Sequence, residues 1–275
     1  VCDYLKNRFP ETQFDFINAG IPSTGSTPGA FRLIRDVFSN GPVDLLFEEA
    51  AVNDLTNGRD RTEQIRGMEG ILRHALRINP KLDIITMYFV DEDKIADYNQ
   101  GQTPEVIVNH DTVCGYYGVS SIHLAREVTD RINAGQFTWK DDFKDLHPSP
   151  FGQKIYSTAI YRLLDTAWSK PLWPSDATVP HWIPENPLDA FSYFKGQLDD
   201  IGKALLETGW KLDPAWHPTD NVGTRPGFVD VPMLTAEKPA AVLRFPFTGT
   251  AIGIFIPAGP DSGIIEYSVD GKPFK

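Results

Sequence analysis

The chain has 275 residues, enough for one large domain or two of ordinary size. Hydrophobic residues make up 41% and charged residues 23%, which are globular values, and the formal net charge is −11. With acid in excess and no basic stripe, nucleic acid is excluded as an expected partner. No apolar run approaches the length of a membrane span, so no membrane partner is expected. Two cysteines, Cys2 and Cys114, are too few for a disulfide framework and fit no metal spacing. They read as buried or incidental thiols. No signal peptide is visible, but the sequence opens at Val1, so a processed or cropped product is the expectation.

In chain order, Cys2 to Phe9 reads as the end of a helix stopped by Pro10. Gln13 to Asn18 reads as a short strand that ends in the small-residue loop from Ala19 to Ser26. Ser23 and Ser26 read as loop and capping residues, with Ser26 or Thr27 starting a helix that ends near Asn40-Gly41. Val43 to Ala51 is the next strand. Its run Leu45-Leu46-Phe47 is apolar throughout, as in a strand covered on both faces. It leads into Val52-Asn53-Asp54-Leu55. A helix follows from Arg61 to Ile78, with Ile65, Met68, Ile71, Leu72, Ala75 and Leu76 on one face. Leu82 to Val90 is a further strand, 91–103 a polar loop, Pro104 to Tyr117 a helix, and Val119 to Leu124 a short strand. Residues 125–146 carry a short helix and then a charged loop.

That loop delivers Asp145-Leu146-His147-Pro148-Ser149-Pro150. Ser149 suits an N-cap and Pro150 a first helical position, opening a helix that runs to about Trp168. His147 therefore sits in a loop at a helix mouth. A neighbouring carboxylate can fix such an imidazole's tautomer and stabilise its charged form. Strands alternating with helices imply βαβ units and a parallel sheet. Ligands in such sheets bind beyond the strands' carboxyl ends. The loops holding Gly20 and Asn53 both lie at such ends, and the His147 loop can reach the same edge.

Beyond Trp168 the character changes. Ser169 to Pro187 holds Pro171, Pro174, Pro180, Pro184 and Pro187 with Trp173 and Trp182, and reads as an interdomain connection. Residues 190–205 suggest a helix. Apolar runs at 241–245, 252–256 and 264–269, with a hairpin signal at Asp270-Gly271, suggest an antiparallel β-sandwich. It stops just after that turn, so the C-terminus is also expected to be cropped.

Three blocks then carry a resemblance to the SGNH (GDSL-type) hydrolases. Asn18-Ala19-Gly20-Ile21 is similar to the family's glycine block, Ala51-Val52-Asn53-Asp54 to its Gly-x-Asn-Asp block, and Asp145-Leu146-His147-Pro148 to its Asp-x-x-His-Pro block. Order and spacing agree over roughly residues 1–170. Ala51 replaces the second block's glycine. The third block's aspartate lies two residues before the histidine instead of three, where Lys144 stands. Asp145 is the chosen acid and Asp142 the fallback. No residue matches the family's Gly-Asp-Ser block, which the resemblance places on a first strand ahead of Val1.

The resemblance implies a three-layer, doubly wound α/β domain (SGNH/flavodoxin-like) over 1–170. A linker at 171–189 and a smaller mostly-β sandwich domain at 190–275 would follow. It implies a serine esterase with His147 as base, Asp145 as its orienting acid, and Gly20 N–H and the Asn53 amide as oxyanion donors. No cofactor or metal is needed. The implied substrate is a small acylated compound or, by analogy with two-domain carbohydrate esterases, an acetylated polysaccharide, and the implied setting is secreted or periplasmic. A lipase or thioesterase of the same family and a non-catalytic carbohydrate-binding or scaffold protein remain open.

Other chemistry-bearing residues fit structural roles. Glu48 and Glu49 end an apolar strand on opposite faces, and one of them reads as a supporting partner. His74 and His110 read as surface or packing residues, and His123, His181 and His217 show no partner pattern. Trp173, Trp182, Trp210 and Trp216 could stack on sugars, although packing explains each of them as well.

Overall fold

A computed structural model describes residues 1–170, 178–219, 222–259 and 261–275. Two compact units divide between Leu198 and Asp199.

The first unit is built on a parallel sheet of three strands, β1 (Leu45–Glu48), β2 (Asp83–Met87) and β3 (Ser120–Ile122), in that order. Leu45 faces Asp83 across the first ladder and Ile85 faces Ser120 across the second. Crossovers between parallel strands require helices. In chain order these helices are α1 (Cys2–Arg8), α2 (Ser26–Asp36), α3 (Ala51–Thr56), α4 (Arg61–Ile78), α5 (Glu92–Asn99), α6 (Glu105–Tyr117), α7 (Leu124–Asn133) and α8 (Pro150–Ala167). One apolar cluster joins Leu33 of α2 with Met68 and Leu72 of α4, Ile84 of β2 and Val113 of α6. A second joins Ala51, Tyr88, Val106, Val128, Phe143 and Tyr156. A third joins Leu5, Ile85, Ile160 and Leu164. These residues supply the α/β core that the sequence pattern predicts.

Local chemistry sets the helix ends. Asp60 accepts from Glu63 N at 2.8 Å while Glu63 reaches back to Asp60 N, a capping box that starts α4 where the pattern puts it. Ser149 Oγ accepts from Gly152 N at 3.3 Å and Pro150 is the first residue of α8, as expected.

Several expectations need correction. The segment Gln13–Asn18 is extended, with Phe14 and Phe16 stacked at 5.7 Å, yet it joins no ladder among the described residues. A strand needs a partner's hydrogen bonds, and among the described residues β1 pairs with β2 alone. The polar stretch 91–103 contains α5, which Asp91 caps by accepting Lys94 N at 2.9 Å. Ser26 does not cap α2. Gly25 occupies the cap position and the Ser26 side chain turns elsewhere. No helix forms over 190–205, where a single 3₁₀ turn covers Ile201–Lys203. Tyr193 N instead bonds Arg66 O at 3.2 Å and Leu198 N bonds Phe31 O at 3.0 Å, so the segment follows α4 and α2 rather than its own helical path.

Of the predicted connection, 171–177, with Pro171, Trp173 and Pro174, lie outside the described residues. The rest is strapped to the first unit. Arg73 of α4 donates to Pro184 O at 2.8 Å and Glu185 O at 2.8 Å, and Asp189 N donates to Glu69 at 2.8 Å.

The second unit, 199–275, has two small antiparallel sheets among its described residues. One pairs β4 (Leu205–Thr208) with β7 (Val242–Arg244), the other β5 (Trp210–Trp216) with β6 (Val231–Ala236). The runs at 252–256 and 264–269 enter no sheet among the described residues. Asp270 and Gly271 form the predicted turn, both at positive φ (52° and 72°) as a type I′ turn requires. Lys272 N closes it on Val269 O at 3.1 Å, and mutual bonds between Tyr267 and Lys275 follow at 3.2 and 3.0 Å.

Candidate active site

The carboxyl end of β1 runs through Glu48 and Glu49 into α3. A six-residue helix holds little by itself, so side chains must fix it. Glu49 accepts Val52 N at 3.0 Å and so satisfies an orphan donor of the first turn. Burial pushes the Glu49 carboxyl up to about 7, with Asp54 adding to the rise and Val52 N–H and Lys94 opposing it. Burial also holds Glu48 well above the carboxylate range, and its Oε2 has no partner among the described residues. Of the predicted pair, Glu49 is the supporting residue.

Asn53 sits half-buried on α3. Its side-chain amide makes no hydrogen bond among the described residues, which leaves an uncommitted donor beyond the carboxyl end of a parallel strand. Ala51, where the resembled motif has glycine, is fully buried and packs in the cluster with Phe143 and Tyr156.

The Gly20 loop lies against α3. Asn57 at the end of that helix donates to Ser23 O at 3.1 Å, and Ser26 N and Oγ both reach Asp54. Arg32 of α2 pins the loop's other side by donating to Ala19 O at 3.1 Å. Gly20 itself is exposed, and its N–H donates to Asn18 Oδ1 at 3.1 Å.

His147 is 85% exposed in its side chain, beside an Asp145 that is 65% exposed. Asp145 Oδ1 accepts His147 N at 2.6 Å and lies 3.7 Å from Nδ1, an ion-pair distance rather than a hydrogen bond. Asp142 turns away. It accepts from Thr138 N at 2.7 Å and Thr138 Oγ1 at 3.0 Å, bonds that hold its carboxyl below the usual range. Lys144, between the two acids, is at φ 90°, a strained value for a side-chain-bearing residue. It turns the chain sharply into the Asp145–His147 segment. Asp145 and His147 are thus brought together, and so are the Gly20 loop and α3. No hydrogen bond joins His147 to either oxyanion candidate among the described residues.

One cluster escapes sequence reasoning. His110 of α6 meets Asp54 Oδ2 through Nε2 at 3.0 Å, and Ser26 Oγ donates to the same oxygen at 2.6 Å. All three residues are fully buried. The composition is that of a hydrolase triad, but the wiring is not. The carboxylate stands in the middle, so the imidazole cannot take the serine's proton, and no substrate can reach it. The other histidines without a sequence partner each find an aspartate: His123 with Asp111 at 3.0 Å, His181 with Asp83 at 3.3 Å and His217 with Asp230 at 2.6 Å. Of the candidate stacking tryptophans, Trp182 is exposed while Trp210 and Trp216 are half-buried. No cluster of three or more metal-ligating side chains occurs among the described residues.

Residues 1–155 match the model of the GDSL-like Lipase/Acylhydrolase family. The chain belongs to that family. Among solved structures it resembles a two-domain esterase (CEX) active on acetylated mannans, at 22% identity and a TM-score of 0.61, over 88% of this chain. The same esterase co-crystallized with mannopentaose aligns with the same identity and TM-score. At that identity the likeness establishes the fold. This chain spans 59% of the length of the esterase crystallized with mannopentaose. The lipase/acylhydrolase from Enterococcus faecalis aligns at 19% identity and a TM-score of 0.44, over 64% of this chain and 88% of that one. No curated protein matches the sequence. No helix of the described residues is long and apolar enough to cross a membrane.

Proposed function

We propose that this GDSL-family chain belongs to a serine esterase that hydrolyses ester-linked acyl groups, with acetyl groups on a polysaccharide as the first substrate class. The observation that carries this reading is the open Asp145–His147 pair at the mouth of α8, in a chain whose family hydrolyses esters. In this mechanism a serine hydroxyl attacks the ester carbonyl and His147 takes its proton. The serine is that of the family's Gly-Asp-Ser block, of which residues 1–275 hold no copy. The tetrahedral oxyanion accepts hydrogen bonds from Gly20 N–H, released from Asn18, and from the Asn53 amide. The C–O bond then breaks and His147 returns the proton to the leaving alcohol. Water attacks the acyl-enzyme by the same route and frees the acid. Asp145 steadies the imidazolium at each step, and no cofactor enters.

The acetylated-mannan activity of the fold neighbour supports the choice of substrate. A β-sandwich second domain and a secreted setting are parts of the same proposal. The test is acetate release from acetylated mannan by the full-length protein, wild type beside His147→Ala. Release by the wild type alone supports the reading. Release by neither, or equally by both, overturns it.

A further inference from the structure

The buried Ser26–Asp54–His110 cluster has no part in the proposed bond-making steps, yet it joins the two elements that carry the proposed oxyanion donors. Asn53 and Asp54 are consecutive on α3, so whatever holds the Asp54 carboxylate also sets where the Asn53 amide stands. Asp54 Oδ1 accepts Ser26 N at 2.9 Å, and Oδ2 accepts Ser26 Oγ at 2.6 Å and meets His110 Nε2 at 3.0 Å. Ser26 closes the Gly20 loop. A second tie between the same two elements runs from Asn57 to Ser23 O at 3.1 Å. His110 Nδ1 has no partner among the described residues, so the ring reaches the cluster through Nε2 alone.

The backbone around the cluster is cleared for it. A Cβ on Gly25 would stand 2.0 Å from Asp54 Oδ1, and one on Gly67 of α4 would stand 2.1 Å from Ser26 Oγ. Two elements thus carry glycine where any side chain would displace the carboxylate or the hydroxyl.

We propose that Ser26, Asp54 and His110 form a positioning network that fixes the separation between the Gly20 N–H and the Asn53 amide. This rests on the esterase reading above. The three residues touch no substrate, so they are positioning residues rather than catalytic ones. Oxyanion donors act on charge that develops in the transition state, so misplacing them lowers kcat and leaves KM nearly unchanged. A purely structural network would lower the melting temperature and leave kcat of the folded enzyme alone.

The experiment is steady-state hydrolysis of p-nitrophenyl acetate by the full-length protein, well below its melting temperature. Wild type, Ser26→Ala, Gly25→Ala and His147→Ala are compared. Gly25→Ala keeps all three side chains but pushes the Asp54 carboxylate aside. Its kcat is expected to fall about 10- to 100-fold, less than the roughly 100- to 1000-fold of a donor lost outright because the donors are only displaced, with KM within about threefold. Ser26→Ala removes one bond of the network and falls less, in the same pattern. Should Gly25→Ala fail to fold, the smaller change Ser26→Ala decides. Unchanged kcat in the folded variants, beside an active wild type and an inactive His147→Ala, overturns the positioning role and leaves the esterase reading standing. An inactive wild type overturns both.

Discussion

Two of the molecule's aspartate–histidine pairs stand in opposite surroundings. Asp145 and His147 stand in solvent 3.7 Å apart, while Asp54 and His110 are fully buried at 3.0 Å. By distance alone the buried pair is the better dyad. Its burial is what disqualifies it from acyl transfer, because a base must meet the proton it moves. The exposed pair has access but little rigidity, since only a backbone N–H and a loose ion pair hold it. Tightly bonded polar groups in the interior hold elements together, and open ones at a helix mouth are free to react.

The contrast breaks most visibly at Asp54. Replacing it with alanine leaves Ser26 Oγ and the His110 ring unpaired in the interior, and is expected to cost about 3–5 kcal/mol of stability. Chemical denaturation checks this, and a loss below about 1 kcal/mol would deny the cluster its holding role. At the exposed pair the same kind of change is milder. Asp145→Asn should leave stability unaltered and slow hydrolysis about tenfold, roughly 1.4 kcal/mol of transition-state stabilisation, because the carboxylate sits too far away for a strong hydrogen bond. A ten-thousandfold loss would mean that the loop closes and the pair tightens during catalysis.

Glu49 gives the most specific signal. Burial lifts its carboxyl from the ordinary 4.5 to about 7, so the folded protein keeps a proton that the unfolded chain releases. Between those values the native state binds more protons, and stability contributed at this site falls as pH rises from about 4.5 to 7. Glu49→Gln removes that slope. Melting temperatures of wild type and variant across pH 4.5 to 8 should converge at the acid end and diverge in the variant's favour at the neutral end. Parallel curves would place the raised carboxyl elsewhere.

What was legible in the sequence was local. Ser149-Pro150 before α8, the apolar face of α4 and the apolar run of β1 are each set by residues close together in the chain. The pairing of Asp145 with His147 is likewise visible because they lie two positions apart. Asp54 with His110 is not, because the partners lie 56 residues apart and meet only once α3 and α6 pack. The strap from 181 to 198 stayed hidden for the same reason. Its prolines signal a connection, and only the fold brings Arg73 and Glu69 of α4 to its carbonyls and amides. Helix α5 was missed differently. Asp91, Glu92 and Asp93 are the acidic start that a helix N-terminus favours, and polarity alone hid it.

The central claim is that the exposed histidine, not the buried one, is the base. The most direct measurement is p-nitrophenyl acetate turnover by full-length His147→Ala, with the melting temperature taken on the same sample. The account predicts a rate loss of about a hundredfold to ten-thousandfold at an unchanged melting temperature, the range for a removed general base. Full activity in that variant would take His147 out of the mechanism and contradict the account.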